Sequence, residues 1–491
     1  MSLFRLGSAL VVSQPGYTDA YYYANVARRL AAGHGLTADF IWNFLEAAPG
    51  AALPVASHRF WMPLASVLQA IGIDWLPFLD PFRAAQAAVI LVALLIPIVA
   101  YRATRSLGAG EQASLIAAGL AGLGGAFAPG WVSLDAFAPA AVLGTLFFLA
   151  YGRAAKGDVE AGALAGLWVG LLFLARAEGA FFGLPLLALL WSRQAPKARS
   201  AGLAGSAIAL AIGLGWLARD LSLGPIPDLF ARSALLVQYE DFFAIAPPTM
   251  SAFVAALPDV LSAKVGAAGS NAATFLFAFG LLLVPGMVIA VRARRTIPAV
   301  RAFAALAVAI YLFQTVVVTL HSTRGSYFHS LAAFVPYGVA LGVVGTSELL
   351  RTVERRRVAA VAGIAAAAVV SVFALAEWDA AFDAPYRARS VAAHAIPPGR
   401  FMAVDAAAWR WISRRPVIVT PADLGPCAIS AASYATPKWL VIEKVHFSAY
   451  GPLLLAGAAL PEYLANPQVV GDISIFGLDM AKAKALCDSG Q

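Results

Sequence analysis

Apolar runs separated by short basic clusters fill most of the chain, and a region of shorter period closes it. The runs lie near 84–101, 112–128, 134–151, 161–175, 179–192, 201–218, 272–291, 302–320, 328–347 and 358–376. A helix needs about 20 apolar residues to cross a hydrocarbon core of about 30 Å. Each run therefore predicts a spanning helix, the shorter ones extended by flanking polar residues. Residues 3–12 are apolar over only part of that length. They predict that the chain starts inside a longer first span; the alternative is a short, partly embedded helix. They lack the basic start and small-residue cleavage site of a removable leader.

Past residue 398 the pattern changes. Three short β-type runs at 401–404, 417–420 and 440–443 alternate with helical stretches at 405–414 and 425–434. Strand and helix in alternation predict a small soluble α/β domain. The expected fold class is an all-α polytopic membrane protein, a helical bundle over residues 1–383, followed by an α/β domain over 384–491.

The loops between runs alternate in charge. Arg102, Arg105, Arg153, Lys156, Arg193, Lys197, Arg199, Arg292, Arg294, Arg295, Arg301, Arg351, Arg355, Arg356 and Arg357 fall on one side. After Arg83, the other side holds only Arg176, Arg219, Arg232, Lys264 and Arg324. The richer set belongs in the cytoplasm by the positive-inside rule. Loops 13–83 and 219–271, and everything after Glu377, are then expected outside, with the protein in the cytoplasmic membrane.

Composition agrees with the pattern. Of 491 residues, 60% are hydrophobic and 13% charged, and the mean hydropathy is +0.76. Soluble domains carry about 25% charged residues. The net charge of +8 sits in short clusters between apolar runs, as membrane topology requires, and does not call for nucleic acid. Cys427 and Cys487 both fall in the closing region. If that region lies outside the cytosol, a disulfide between them is open to it.

Candidate chemistry gathers on the outer side. Asp19 lies in Tyr17-Thr-Asp-Ala-Tyr-Tyr-Tyr23, at the start of an expected amphipathic helix over 18–32. Its tyrosines suit a membrane interface, as do Phe60, Trp61 and Met62 in a second expected interfacial helix at 58–64. Tyr22, His58 and Arg59 belong to the same loop. Asp135, the pair Arg176 and Glu178, Arg219, and His329 with Arg324 stand at other outer turns. Ionisable groups at membrane depth are costly and usually functional. Plainer roles exist for each: a helix cap for Asp19, a local ion pair for Arg176 with Glu178, snorkelling for Arg219 and Arg324, a core position for His329. No phosphate-binding glycine loop, metal-type His/Cys spacing or nucleophile elbow occurs.

Taken in order, 18–23, 27–36, 58–64, 134–137, 176–179, 216–220 and 439–443 resemble the GT-C superfamily of membrane glycosyltransferases. The likeness is to bacterial members related to protein O-mannosyltransferases, lipid A aminoarabinose transferases and galacturonosyltransferases. The resemblance implies a catalytic acid in the first outer loop, matched by Asp19. It also implies a polyprenyl-phosphate sugar donor and a glycan, lipid or protein acceptor met at the outer face of the bilayer. A second acid in that loop is common in such proteins; Asp39 and Glu46 are the candidates. On this footing Asp19 is the expected general base or metal ligand of an inverting transfer. Arg219 and Arg324 are expected to hold the donor phosphate. Tyr22, His58, Arg59, Asp135, Arg176, Glu178 and His329 are expected to line the substrate site. A divalent cation between Asp19 and the phosphate is compatible, its second ligand unassigned. The alternative from another class is a lipid-linked sugar transporter or flippase, which would more often show inverted repeats and polar groups at the midplane.

Overall fold

Helices of the expected length appear at six of the ten apolar runs. In a computed structural model of the chain, six helices among the described residues are long and apolar enough to cross a membrane: Pro81–Ser106, Phe137–Ala154, Pro196–Ser222, Pro298–Val316, Thr319–Leu349 and Val353–Ala395. The structure describes all residues except 1, 47–50, 193–195, 226, 351, 433–435, 456, 458, 466 and 491. Arg193, Arg351 and the end of the helix expected at 425–434 thus lie outside the described residues.

Four of the ten expected spans take other forms. The run at 112–128 gives a helix only over Glu111–Leu123, because Gly124 turns left-handed at φ 91°. Val159–Ala175 stops where Arg176 becomes extended. The run at 179–192 becomes a 3-10 turn, Ala177–Phe182, and a short helix, Gly183–Leu189. The run at 272–291 breaks into Leu257–Phe279 and Val284–Ala293, bent by 90°. Gly280 at φ 76° and Pro285 in the next first turn account for that break. Counting the bent pair as one span gives seven.

Small residues let the bundle close. A Cβ on Gly166 would stand 2.0 Å from the Gly205 carbonyl oxygen. Val159–Ala175 and Pro196–Ser222 therefore pack backbone to backbone, the arrangement small residues favour in lipid.

The described residues of the loop 13–83 fold as a unit. The helix Thr18–Ala31 is followed by β1 (Thr37–Ala38) paired antiparallel with β2 (Val55–Ala56), then the helix Leu64–Trp75. Two expectations fail here. Residues 58–63 are irregular, so no second interfacial helix forms at 58–64. Tyr21, Tyr22 and Tyr23 are no more than 1% exposed, which removes them from any lipid-facing belt. Trp61 stacks on Trp42 at 3.8 Å, beside Phe60 and Phe242. These aromatics form the interior of a subdomain because the loop is covered by the segment after Ser222 and by the closing region.

The closing region contains the expected strands and more. Its sheet has the order β4-β3-β5-β7-β6, from β3 (Phe401–Ala403), β4 (Val417–Val419), β5 (Trp439–Glu443), β6 (Gln468–Val470) and β7 (Ile473–Gly477). β3 pairs parallel with β4 and β5; β7 pairs antiparallel with β5 and β6. Helices Ala406–Ser413 and Pro426–Ala432 follow β3 and β4. Cys427 and Cys487 form a disulfide that ties Pro426–Ala432 to the last helix, Met480–Ser489.

This domain is joined to the bundle by polar contacts. Ile41 exchanges backbone hydrogen bonds with Val417 and Val419 at the free edge of β4. Arg410 grips Asp39 with two nitrogens at 2.8 and 2.6 Å. Asn25 donates to the Ala407 carbonyl at 2.8 Å, and Ser448 donates to Glu240 at 2.7 Å. The helix Val353–Ala395 has 43 residues, roughly 65 Å at 1.5 Å per residue, so it runs on well past one bilayer. It crosses the expected domain boundary at 383 without a break. Near its end Arg389 bonds Glu443 at 2.8 Å and Asp405 at 3.2 Å, and Trp409 donates to Glu443 at 2.6 Å.

Removing one partner of a buried ion network leaves the others uncompensated. Arg389→Ala should therefore cost about 3–5 kcal/mol of stability. Arg387→Ala, whose partner Asp383 is met by an arginine 70% exposed, should cost less than about 1 kcal/mol. Unfolding of the purified chain followed by tryptophan fluorescence checks the contrast; equal losses would deny the network its role.

Candidate active site

Asp19 enters the site from the first turn of Thr18–Ala31, where the helix N-terminus favours a negative charge. The turn before it is pinned: Gly16 has φ 98°, and a Cβ there would stand 2.6 Å from the Trp378 ring. Asp135 enters from the turn preceding Phe137–Ala154 and is 1% exposed. The Tyr17 hydroxyl donates to its Oδ2 at 2.5 Å, and the Ala136 N–H donates to its Oδ1. His329 follows a π turn, Ser322–Ser326, that interrupts its span with Gly325 at φ 108°. Such interruptions recur at functional positions. One oxygen each of Asp19 and Asp135 and a ring nitrogen of His329 lie within 4.8 Å of one another.

Arg176 flanks this group. It donates to His329 Nδ1 at 3.1 Å and to Glu178 at 2.9 Å. Because Nδ1 accepts, the neutral ring carries its proton on Nε2. Glu178 also accepts from Gln314 at 3.0 Å and Ser330 at 2.8 Å. Two further helices thus fix the arginine, and the extended backbone at Arg176 that ends Val159–Ala175 aims it inward.

Asp19 is partly exposed, while Asp135 is not. Burial pushes the Asp19 carboxyl up to about 7, and the neighbouring Asp135 charge pushes in the same direction against the opposing pull of Arg176. A carboxylate titrating near neutrality suits proton transfer at physiological pH.

Arg324 lies over the Tyr239 ring at 4.1 Å. The Tyr239 hydroxyl, raised to about 12 mainly by burial, feels the charges of Asp19, Arg324 and Asp405. Asp19, Arg324 and Asp405 of the closing domain thus lie within electrostatic reach of one hydroxyl.

A second cluster holds the other expected residues. Tyr22 donates to Glu46 at 2.7 Å and accepts from the His58 N–H at 2.6 Å. His58 is fully buried, with ring nitrogens 3.1 Å from the Trp61 carbonyl and 3.0 Å from the Ser66 hydroxyl. Burial holds its ring down to about 3. With both nitrogens engaged in packing, His58 offers none to a substrate, and the Tyr22 hydroxyl is occupied in the same way. Arg59 donates to the Gly224 and Pro225 carbonyls. Arg219 donates to the Ser57 carbonyl at 2.7 Å and to Asp220 at 3.0 Å, and lies over Trp216.

The structure thus brings Asp19, Asp135, Arg176, Glu178 and His329 together, with Arg324 near, and sets Tyr22, His58, Arg59 and Arg219 apart. Neither candidate for the second loop acid joins Asp19. Asp39 is taken by Arg410 and Arg29, and Glu46 faces Tyr22. The carboxylate beside Asp19 is Asp135, from a different turn. Tyr17, Tyr239 and Asp405 were not among the expected site residues; each lacks a local signal, since its role comes from a contact distant in sequence.

No family model matches the chain, and no curated protein matches it. Solved structures do. ArnT from Cupriavidus metallidurans bound to undecaprenyl phosphate superposes with a TM-score of 0.59 at 16% identity, covering 96% of this chain and 97% of that one. The chain has the GT-C fold. The Archaeoglobus fulgidus oligosaccharyltransferase is similar at a TM-score of 0.52 and 14% identity, over 90% of this chain and 69% of that one. The same enzyme in complex with zinc and sulfate gives 0.51 and 13%, over 89% and 67%. In the GT-C fold of this chain, the Asp19 group lies where the first long loop meets three helical turns.

The raised Asp19 pKa has a stability consequence. The native state keeps a proton that the unfolded chain releases near the ordinary carboxyl value of 3.8, so stability falls as pH rises from about 4 to about 7. Asp19→Asn removes that loss. Its melting temperature above pH 7 should equal or exceed that of the parent, and a protonated-carboxyl infrared band titrating near pH 7 should vanish. A clear destabilisation at alkaline pH, or persistence of the band, would contradict the assignment.

Proposed function

We propose that the chain is a membrane glycosyltransferase that moves a sugar from a polyprenyl-phosphate donor to an acceptor hydroxyl at the outer face of the cytoplasmic membrane, with inversion. The observation that carries this reading is Asp19, poised near neutrality beside Asp135, His329 and Arg176 in a GT-C fold. Further support comes from the ArnT likeness over nearly the full length of both chains, ArnT having been solved with undecaprenyl phosphate. The disulfide of the closing domain supports an oxidising, extracytoplasmic setting.

In this mechanism the acceptor hydroxyl attacks the anomeric carbon, its proton passing to Asp19. The bond from that carbon to the phosphate oxygen breaks, and the electron pair leaves with the lipid phosphate. Arg324 receives the developing phosphate charge, because among the described residues its guanidinium meets only an aromatic face and no carboxylate. Arg176 is held by Glu178 and steadies His329 and the Asp19 carboxylate. Arg219 and Arg59 brace the loop against the segment after Ser222 and serve the site from a distance.

Asp19 and Asp135 also offer two carboxylate oxygens to a divalent cation such as magnesium or manganese, and His329 would join them as a ligand through Nδ1 once Arg176 gives that nitrogen up. When bound, such an ion would supply Lewis acidity toward phosphate oxygens. Asp19 is then a ligand in place of, or as well as, a base.

The test is release of polyprenyl phosphate from labelled polyprenyl-phosphate sugars, with a cell-envelope extract as acceptor. Turnover should rise with pH as Asp19 loses its proton near 7, and Asp19→Asn should lower it about 10²–10⁴-fold. Arg324→Ala should raise KM for the donor more than it lowers kcat. If Asp19 is a ligand, chelation should abolish turnover and Asp135→Asn should weaken the metal dependence. Full activity in Asp19→Asn would sink the proposal, and lipid flipping without transfer would replace it by transport.

A further inference from the structure

A cavity of about 1000 Å³ lies apart from the Asp19 group, none of whose members lines it. It opens because the chain bends by 90° between Leu257–Phe279 and Val284–Ala293. Its opposite wall is the long helix Val353–Ala395, which presents Ala359, Gly363 and Ala366 there. These side chains are too small to fill the gap, and the apolar window of that helix is only 11% buried. The remaining walls include Ile116, Leu120 and Val339. Apolar walls of this kind at membrane depth favour hydrocarbon over water.

One end of the groove is charged. Arg294, Arg356 and Arg357 border it together with Glu348. Glu348 pairs with Arg294 at 2.5 Å. Among the described residues no carboxylate pairs with Arg356 or Arg357, and Arg356 spends only its Nε on the Leu350 carbonyl, at 2.7 Å. Three arginines against one glutamate leave two uncompensated positive charges at the mouth of an apolar slot. These arginines belong to the basic set that the positive-inside rule places in the cytoplasm.

We infer that this groove holds an anionic glycerophospholipid of the cytoplasmic leaflet, its acyl chains between the long helix and the bent pair and its phosphate at Arg356 and Arg357. Charge complementarity at one end and hydrocarbon along the rest select this chemistry. A polyprenyl-phosphate donor seated here would have its phosphate at Arg356 and Arg357, away from Asp19, which argues against that occupant. The lipid fills the space beside a helix that otherwise touches little of the bundle.

The experiment is native mass spectrometry of the full chain from detergent, titrated with phosphatidylglycerol, phosphatidylcholine or undecaprenyl phosphate. Phosphatidylglycerol should be retained roughly 30-fold better than phosphatidylcholine, on the scale of two juxtamembrane arginines. The preference should be lost in the double variant Arg356→Gln/Arg357→Gln. Should that variant fold poorly, Ala366→Trp decides, because it fills the groove with the charges intact and should also lose the bound lipid. Equal retention of both phospholipids, or preference unchanged in Ala366→Trp, would overturn the inference. So would undecaprenyl phosphate binding more tightly than phosphatidylglycerol and being lost in the same variants, which would give the groove to the donor lipid.

Discussion

Two carboxylates held close together in a poorly solvated pocket set the terms for the rest of this protein. Asp19 and Asp135 each cost free energy when charged, and more when both are charged. Their surroundings offset that cost unequally. Asp135 has the Tyr17 hydroxyl and the Ala136 N–H. Asp19 has the start of a helix and the nearby Arg176. The result is one acid fully enclosed and one left partly open with a pKa near neutrality. Arg176 can serve both only because Glu178, Gln314 and Ser330 restrain it through two other helices. The bundle is the frame that keeps this repulsive pair from drifting apart.

The closing domain completes the site from the other side. It is docked through an added strand contact at Ile41, the Asp39–Arg410 pair and the buried Arg389 network. These contacts cover the aromatic interior of the first loop and place Asp405 toward the start of the Asp19 helix, where its charge is felt by Asp19 and Tyr239. A domain that looks separable by sequence pattern is thus structurally part of the pocket. The uninterrupted Val353–Ala395 helix makes the same point, since it belongs to the bundle at one end and to the domain at the other.

The apolar groove and the Asp19 cluster divide the molecule by chemistry. The cluster gathers acids and cations at helix turns; the groove is a long apolar slot whose charged groups stand at its mouth. Breaks in helical regularity create both spaces, at Gly325 and at Gly280, where positive φ lets the chain leave the helix.

Local pattern was enough for the membrane class, the main spans, the start of the Asp19 helix and three strands of the closing sheet. Those features follow from periodicity, and periodicity is written residue by residue. Asp19, Asp135, Arg176, Glu178 and His329 could be singled out because charge is rare at membrane depth. Their convergence could not be read, nor could the displacement of His58 and Tyr22 into packing, because both depend on how distant helices cross. Asp39 and Glu46 were equally plausible as the second acid until Arg410 and Tyr22 were found against them. Strands β6 and β7 and the bend at Gly280 carry weak local signals, since β6 is short and exposed, β7 covers only five residues and a single glycine marks the bend. Sequence by itself determined which ionisable groups stand at the turns between apolar runs; tertiary structure alone decided which of them meet, since a distance between side chains is a property of packing and not of order along the chain.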